Sequence, residues 1–114
     1  MPQPKFLDDP TFKALRLGDF AGFNREAAGK KVLDYSDTDL RGVDFRGVTE
    51  VNKLVVRGAY MRDADLRGLD LRNWDMEGCS LYHAKVSGAF FPANISAQEI
   101  ITSVELGTRM RASK

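Results

Sequence analysis

Residues 64–88 read ADLRG LDLRN WDMEG CSLYH AKVSG, one five-residue pattern written five times. The frame extends upstream through LDYSD, TDLRG and VDFRG at 33–47, one extra residue at Val48, and TEVNK, LVVRG and AYMRD at 49–63. Downstream it closes with AFFPA at 89–93. The third position is always apolar: Tyr35, Leu40, Phe45, Val51, Val56, Met61, Leu66, Leu71, Met76, Leu81, Val86 and Phe91. The first is small or apolar, as at Ala59, Ala64, Cys79, Ala84 and Ala89, and the second and fourth are most often Asp and Arg.

A period of five matches neither the 3.6 of a helix nor the alternation of a long strand. It fits a short extended segment that turns its first and third side chains inward, followed by a bend. Glycine recurs at the fifth position (Gly42, Gly47, Gly58, Gly68, Gly78, Gly88), where freedom to take positive φ makes the bend easy. Val48 breaks the frame. Without it Glu50 would point inward as a buried charge; with it Val51 takes that place, which predicts a bulge or widened corner.

On these motifs, ADLRG above all, the block resembles the pentapeptide repeat family. The resemblance implies an all-β solenoid, a right-handed quadrilateral β-helix with four repeats per turn and so about three coils over residues 33–93. Stacked coils place residues about 20 apart above one another. The first-position columns then read Leu33–Leu54–Trp74, Thr38–Ala59–Cys79, Val43–Ala64–Ala84 and Thr49–Leu69–Ala89. Trp74 is the bulkiest of these and is expected to tilt out of the rod end under the C-terminal helix. Leu66, Leu71 and Phe91 are expected as structural inward residues.

A short solenoid exposes apolar interior and strand edges at both ends, so two lids are expected. Residues 1–32 form the N-terminal one, a loose lead over residues 1–8 and then a short helix. Asp9 caps that helix, Pro10 sits in its first turn and Gly18 stops it. Phe20 and Phe23 then precede a polar stretch from Asn24 to Lys31. Residues 94–114 form the second lid. Ser96 and Glu99 make a capping box, Ile95 and Ile100 a staple, and Ala97, Ile100, Ile101 and Val104 an apolar face. Gly107 ends that helix, and a basic tail suits its negative end.

Composition narrows the function. The 114 residues hold 17 Lys plus Arg against 16 Asp plus Glu, a net charge of +1, which argues against a dedicated nucleic-acid or membrane-surface protein. No segment has the length of a membrane span or signal peptide, and the single Cys79 predicts no disulfide framework, so a reduced, cytoplasmic setting is expected. His83, the only histidine, falls on a corner, and Cys79 fills a small inward slot. No cluster has metal-ligand spacing and no glycine loop is placed to hold phosphate. Neither a cofactor, a metal nor catalysis is expected.

The outward positions separate the faces. Asp34, Ser36, Val55, Arg57, Asp75 and Glu77 make an acidic face. The next carries Asp39, Arg41, Tyr60, Arg62, Ser80 and Tyr82, and its Arg41, Tyr60, Arg62 and Tyr82 are the residue types that anchor interfaces. Asp44, Arg46, Asp65 and Arg67 form a self-neutralising ladder. The expectation is a protein-interaction or scaffold module whose partner binds that Arg/Tyr face. The alternative is the DNA-mimicking, gyrase-protecting role known in the resembled family, which suits a longer and more acidic rod. Phe90, outward beside Phe91 and Pro92, leaves room for a weak homodimer.

Overall fold

The computed structural model describes residues 3–49 and 53–113. Its elements in chain order are α1 (Pro10–Leu17), α2 (Phe20–Ala27), β1 (Val32–Asp34), β2 (Lys53–Val55) and α3 (Ala97–Leu106). The all-β expectation is therefore not expressed as continuous ladders among the described residues: two three-residue strands stand against three helices. Five residues per repeat leave only one or two extended positions between turns, so most pairing reduces to single bridges. β1 and β2 pair in parallel, Leu33 opposite Leu54. Parallel bridges then join Asp39 to Tyr60, Asp44 to Asp65, Val55 to Asp75, Tyr60 to Ser80, Asp65 to Lys85 and Asp70 to Phe90.

The spacing of these bridges locates the extra residue. Asp44 meets Asp65, 21 positions on, whereas Val55 meets Asp75, 20 positions on, so the surplus lies between Asp44 and Val55. Glu50 and Val51, to which the inward and outward expectation was attached, lie outside the described residues. Asn24 of α2 holds the near side of this corner. Its amide donates to the Gly47 carbonyl at 2.9 Å, and its side-chain oxygen accepts from the Thr49 N–H at 3.0 Å. One side chain thus satisfies two backbone groups that the irregular corner leaves without a neighbouring rung.

The inward side chains form the core. Tyr35, Leu40, Phe45, Leu54, Val56, Met61, Leu66, Leu71, Cys79 and Leu81 are fully buried. Val86 and Phe91 are only half-buried, because the last layer has no full neighbour beyond it. Trp74 does not tilt outward under α3. Its ring turns in, edge-on to Phe45 at 5.6 Å, and the residue is buried. An indole removes more apolar surface from water inside the stack than at its rim.

Two helices rather than one pack against the first repeats. Asp9 caps α1 by accepting from Thr11, and Gly18 ends it in the left-handed region. The stretch read as polar from Asn24 continues instead as α2, capped by Asp19 through the Gly22 N–H. The missed signal is an apolar stripe only one turn wide: Phe23 and Ala27 are buried, four residues apart. Phe12 meets Tyr35 edge-on at 5.2 Å, and the Tyr35 hydroxyl donates to Thr11 Oγ1. Burial pushes that phenol well above its ordinary range. Residues before Asp9 are not simply a loose lead, since the Lys5 N–H donates to Asp37 O and its carbonyl accepts from Asp39 N.

At the other end the capping box is half made. The Glu99 N–H donates to Ser96 Oγ, but the Glu99 carboxylate turns to Arg111 instead of reaching back. A charged pair with a backbone bond added outweighs a single reciprocal cap. Only Ser103 of α3 is buried; Ile101 and Leu106 face solvent. The polar residue is inside because α3 satisfies the last layer's edge: Ser103 Oγ accepts from the Leu81 N–H and donates to Thr108 O, and Val104 O accepts from the His83 N–H. The following tail runs back along that layer, with antiparallel bridges from Ser80 to Arg109 and from Ile95 to Ala112.

Candidate functional site

Arg41, Tyr60, Arg62 and Tyr82 come together in one shallow depression of about 400 Å³, completed by Met61, Ser80, Leu106, Gly107 and Arg109. The repeat register explains the first group. Tyr60 and Ser80 are bridged partners on successive layers, so equivalent outward positions stack into one face. The last three residues were not foreseen: they come from the C-terminal segment that folds over this face.

Each cation is oriented. Arg41 grips the buried Asp39 with two N–H groups, while its backbone N–H donates to the same carboxylate at 3.1 Å. The Arg41 guanidinium holds the Asp39 carboxyl below the usual range, and Arg16 adds to the effect. Arg62 lies over the Tyr82 ring, 5.1 Å from its centroid. Arg109 lies over Tyr60 at 4.9 Å, and its Nη1 donates to Gly58 O at 3.1 Å and Gly78 O at 2.9 Å. The basic tail therefore does more than face a helix end: Arg109 clips two layers together and Arg111 binds Glu99. No short-range sequence signal shows this, because the partners are 31 and 51 residues away.

The other faces are more self-contained. On the face expected to be acidic, Arg57 pairs with both Asp75, at 3.2 Å, and Glu77. Arg46 joins Asp44 to Asp65 across two layers, and Arg67 holds Asp65 so firmly that its carboxyl falls to about 2. Phe90 is exposed, with the Arg72 guanidinium over its ring at 5.4 Å. A polar depression of about 530 Å³ mixes Lys53, Arg57 and Arg72 with Asp75 and Glu77. A smaller apolar one lies beside Phe6, Phe12 and Leu17.

Reactive groups are placed for packing. The Cys79 thiol is fully buried, and burial pushes it far above its ordinary range. His83 occupies its corner at φ 58 and stacks on Tyr82 with ring centroids 3.9 Å apart. Among the described residues, no group of three or more His, Cys, Asp and Glu side chains is arranged to hold a metal ion. No helix among them is long and apolar enough to cross a membrane.

Comparison with known proteins agrees with the repeat register. Residues 57–92 match the family model for pentapeptide repeats, in eight copies. No curated protein and no solved structure matches the chain. The backbone pairing every 20 or 21 residues agrees with this match, and the chain carries pentapeptide repeats over residues 57–92.

Proposed function

We propose that the chain is a non-enzymatic protein-interaction module that holds a partner in the depression between its Arg/Tyr face and its C-terminal segment. One observation carries this reading: the lining contributes three arginines and two tyrosines and no carboxylate, on a chain whose net charge is +1. Arginine and tyrosine combine large contact area with directed hydrogen bonding, which is why they anchor interfaces. The scaffold reading goes with a right-handed quadrilateral β-helix of about three coils, supported by parallel bridges 20 or 21 residues apart and by inward first and third positions. A rigid stack of this kind presents outward side chains with little entropy left to lose on binding. A non-enzymatic role is supported by the burial of Cys79 and by the pairing of Asp39, Asp44, Asp65 and Asp70 with arginines, which leaves those carboxylates poor proton acceptors.

Affinity capture from the native host tests the reading. The wild-type chain is compared with Arg62→Glu and with Arg72→Glu, the second change lying outside the depression. Partners lost with the first and kept with the second support it. An identical set captured by all three proteins overturns it.

A further inference from the structure

Three surface depressions differ in charge balance, and one of them gathers three arginines with no carboxylate in its lining. That beside Trp74 carries two carboxylates among its cations, and that beside Phe6 is apolar with Lys13 and Arg16 on its rim. The Arg41/Arg62/Arg109 depression has no carboxylate in its lining. Acidic side chains lie behind or beside it, Asp37 among them near Gly58. Asp39 is buried beneath Arg41, and Asp63 sits 3.7 Å from Arg62 on an exposed corner.

Each guanidinium is held by contacts that use only part of its donor set. A guanidinium has five N–H groups, and Arg41 spends two on Asp39. Arg109 spends Nη1 on two carbonyls, and Arg62 is steered by the face of Tyr82. The donors left over belong to side chains already fixed in direction, so a carboxylate meeting them loses little entropy and gains charge-assisted bonds. Beside these cations Leu106, largely exposed, supplies apolar contact.

Resting on the reading above, we propose that the occupant of this depression is an acidic segment of a partner protein, its carboxylates meeting Arg41 and Arg62 and an aliphatic side chain resting on Leu106. Nucleic acid is the poorer match. Binding through phosphates calls for a longer cationic track, on the order of 6–10 contacts. Here Arg46, Arg57, Arg67 and Arg72 outside the depression are already engaged by Asp or Glu.

The test uses fluorescence anisotropy on the full chain with four probes: a labelled peptide alternating Glu and Leu, its Gln/Leu and Lys/Leu counterparts, and a labelled DNA duplex. The Glu/Leu peptide is expected to bind at least about tenfold more tightly than the Gln/Leu peptide. Arg62→Glu is expected to remove that preference, Arg72→Glu to retain it, and added salt to weaken it. Circular dichroism of both variants establishes that they are folded. Equal binding of the Glu and Gln peptides, equal loss in the two variants, or tighter binding of the duplex overturns the proposal. If native partners still depend on Arg62 while the Glu/Leu peptide fails, the acidic-segment inference falls and the broader reading survives. If Arg62 matters to neither, both fall.

Discussion

The guanidinium of Arg109 lies over the ring of Tyr60, its carbon 4.9 Å from the ring centroid, while the same group donates to carbonyls on two successive layers. A tail residue thereby becomes part of the repeat face. Arg109→Ala removes two charge-assisted hydrogen bonds and a stacked cation, and exposes the Gly58 and Gly78 carbonyls to water. The expected cost is about 1–3 kcal/mol. Hydrogen exchange should localise the damage: the Gly78 and Met110 amides, paired through the tail, lose protection before those of Leu40 or Phe45. Uniform loss across all layers would contradict the clip.

The corner at Gly47 tests the N-terminal lid. A Cβ added there would stand 2.3 Å from the Phe20 ring, and the φ of Gly47 lies outside the left-handed region, so the penalty is steric alone. Gly47→Ala is expected to destabilise by about 1–3 kcal/mol. Combining it with Phe20→Ala should cost less than the two changes summed, since the smaller side chain makes room. Chemical denaturation of the four proteins measures the coupling. Strict additivity would mean that Phe20 is not the obstacle.

Acid should loosen the ladder of charged pairs. The Asp65 carboxyl is lowered to about 2, chiefly by its hydrogen bond to Arg67, against an ordinary value of 3.8. A depressed folded-state value means that the stabilisation is present above the unfolded pKa. It is lost as pH falls through the folded one, so the window runs from about pH 4 to about pH 2. Asp65→Asn, which keeps an acceptor for the Arg67 N–H but no charge, should lower stability at pH 7 and flatten its decline across that window. Urea unfolding at stepped pH gives both curves. Parallel declines would remove Asp65 from the account.

Backbone conformation gives a prediction of opposite sign. Asp37, Asp63 and His83 take φ values of 59, 61 and 58 at fifth positions where most other repeats have glycine. A side chain there costs roughly 1 kcal/mol of strain. Asp63→Gly removes it, with only the 3.7 Å contact to Arg62 lost, and is expected to stabilise by about 0.5–1 kcal/mol. A lower Tm for Asp63→Gly would show that the Arg62 contact outweighs the strain.

What could be read from the residues depended on whether the cause was local. The five-residue period declares its inward positions one by one, so Leu66, Leu71 and Met76 were legible as core. So were the helix ends at Asp9, Gly18, Ser96 and Gly107, where one residue's own chemistry sets the boundary. The face holding Arg41, Tyr60, Arg62 and Tyr82 followed from counting in fives. What escaped depends on groups far apart in the chain. Trp74 turns in because Phe45 is there to meet it, Glu99 is drawn off its cap by Arg111, and Arg109 reaches a face built 31 and 51 residues earlier. The helix α2 escaped for another reason: of its three buried residues, Gly22, Phe23 and Ala27, only two carry an apolar side chain, too few for periodicity to show.

The surplus residue near Val48 acts as an address. Identical five-residue units invite a chain to thread one unit out of place, because each shifted arrangement still puts apolar side chains inside. Only one corner, however, offers both the Gly47 carbonyl and the Thr49 N–H to Asn24. A chain misthreaded by one unit would bring Asn24 to a corner lacking that pair and leave the true corner uncovered. The break in the rhythm thus penalises a shift of one unit and favours a single register among near-equivalent ones.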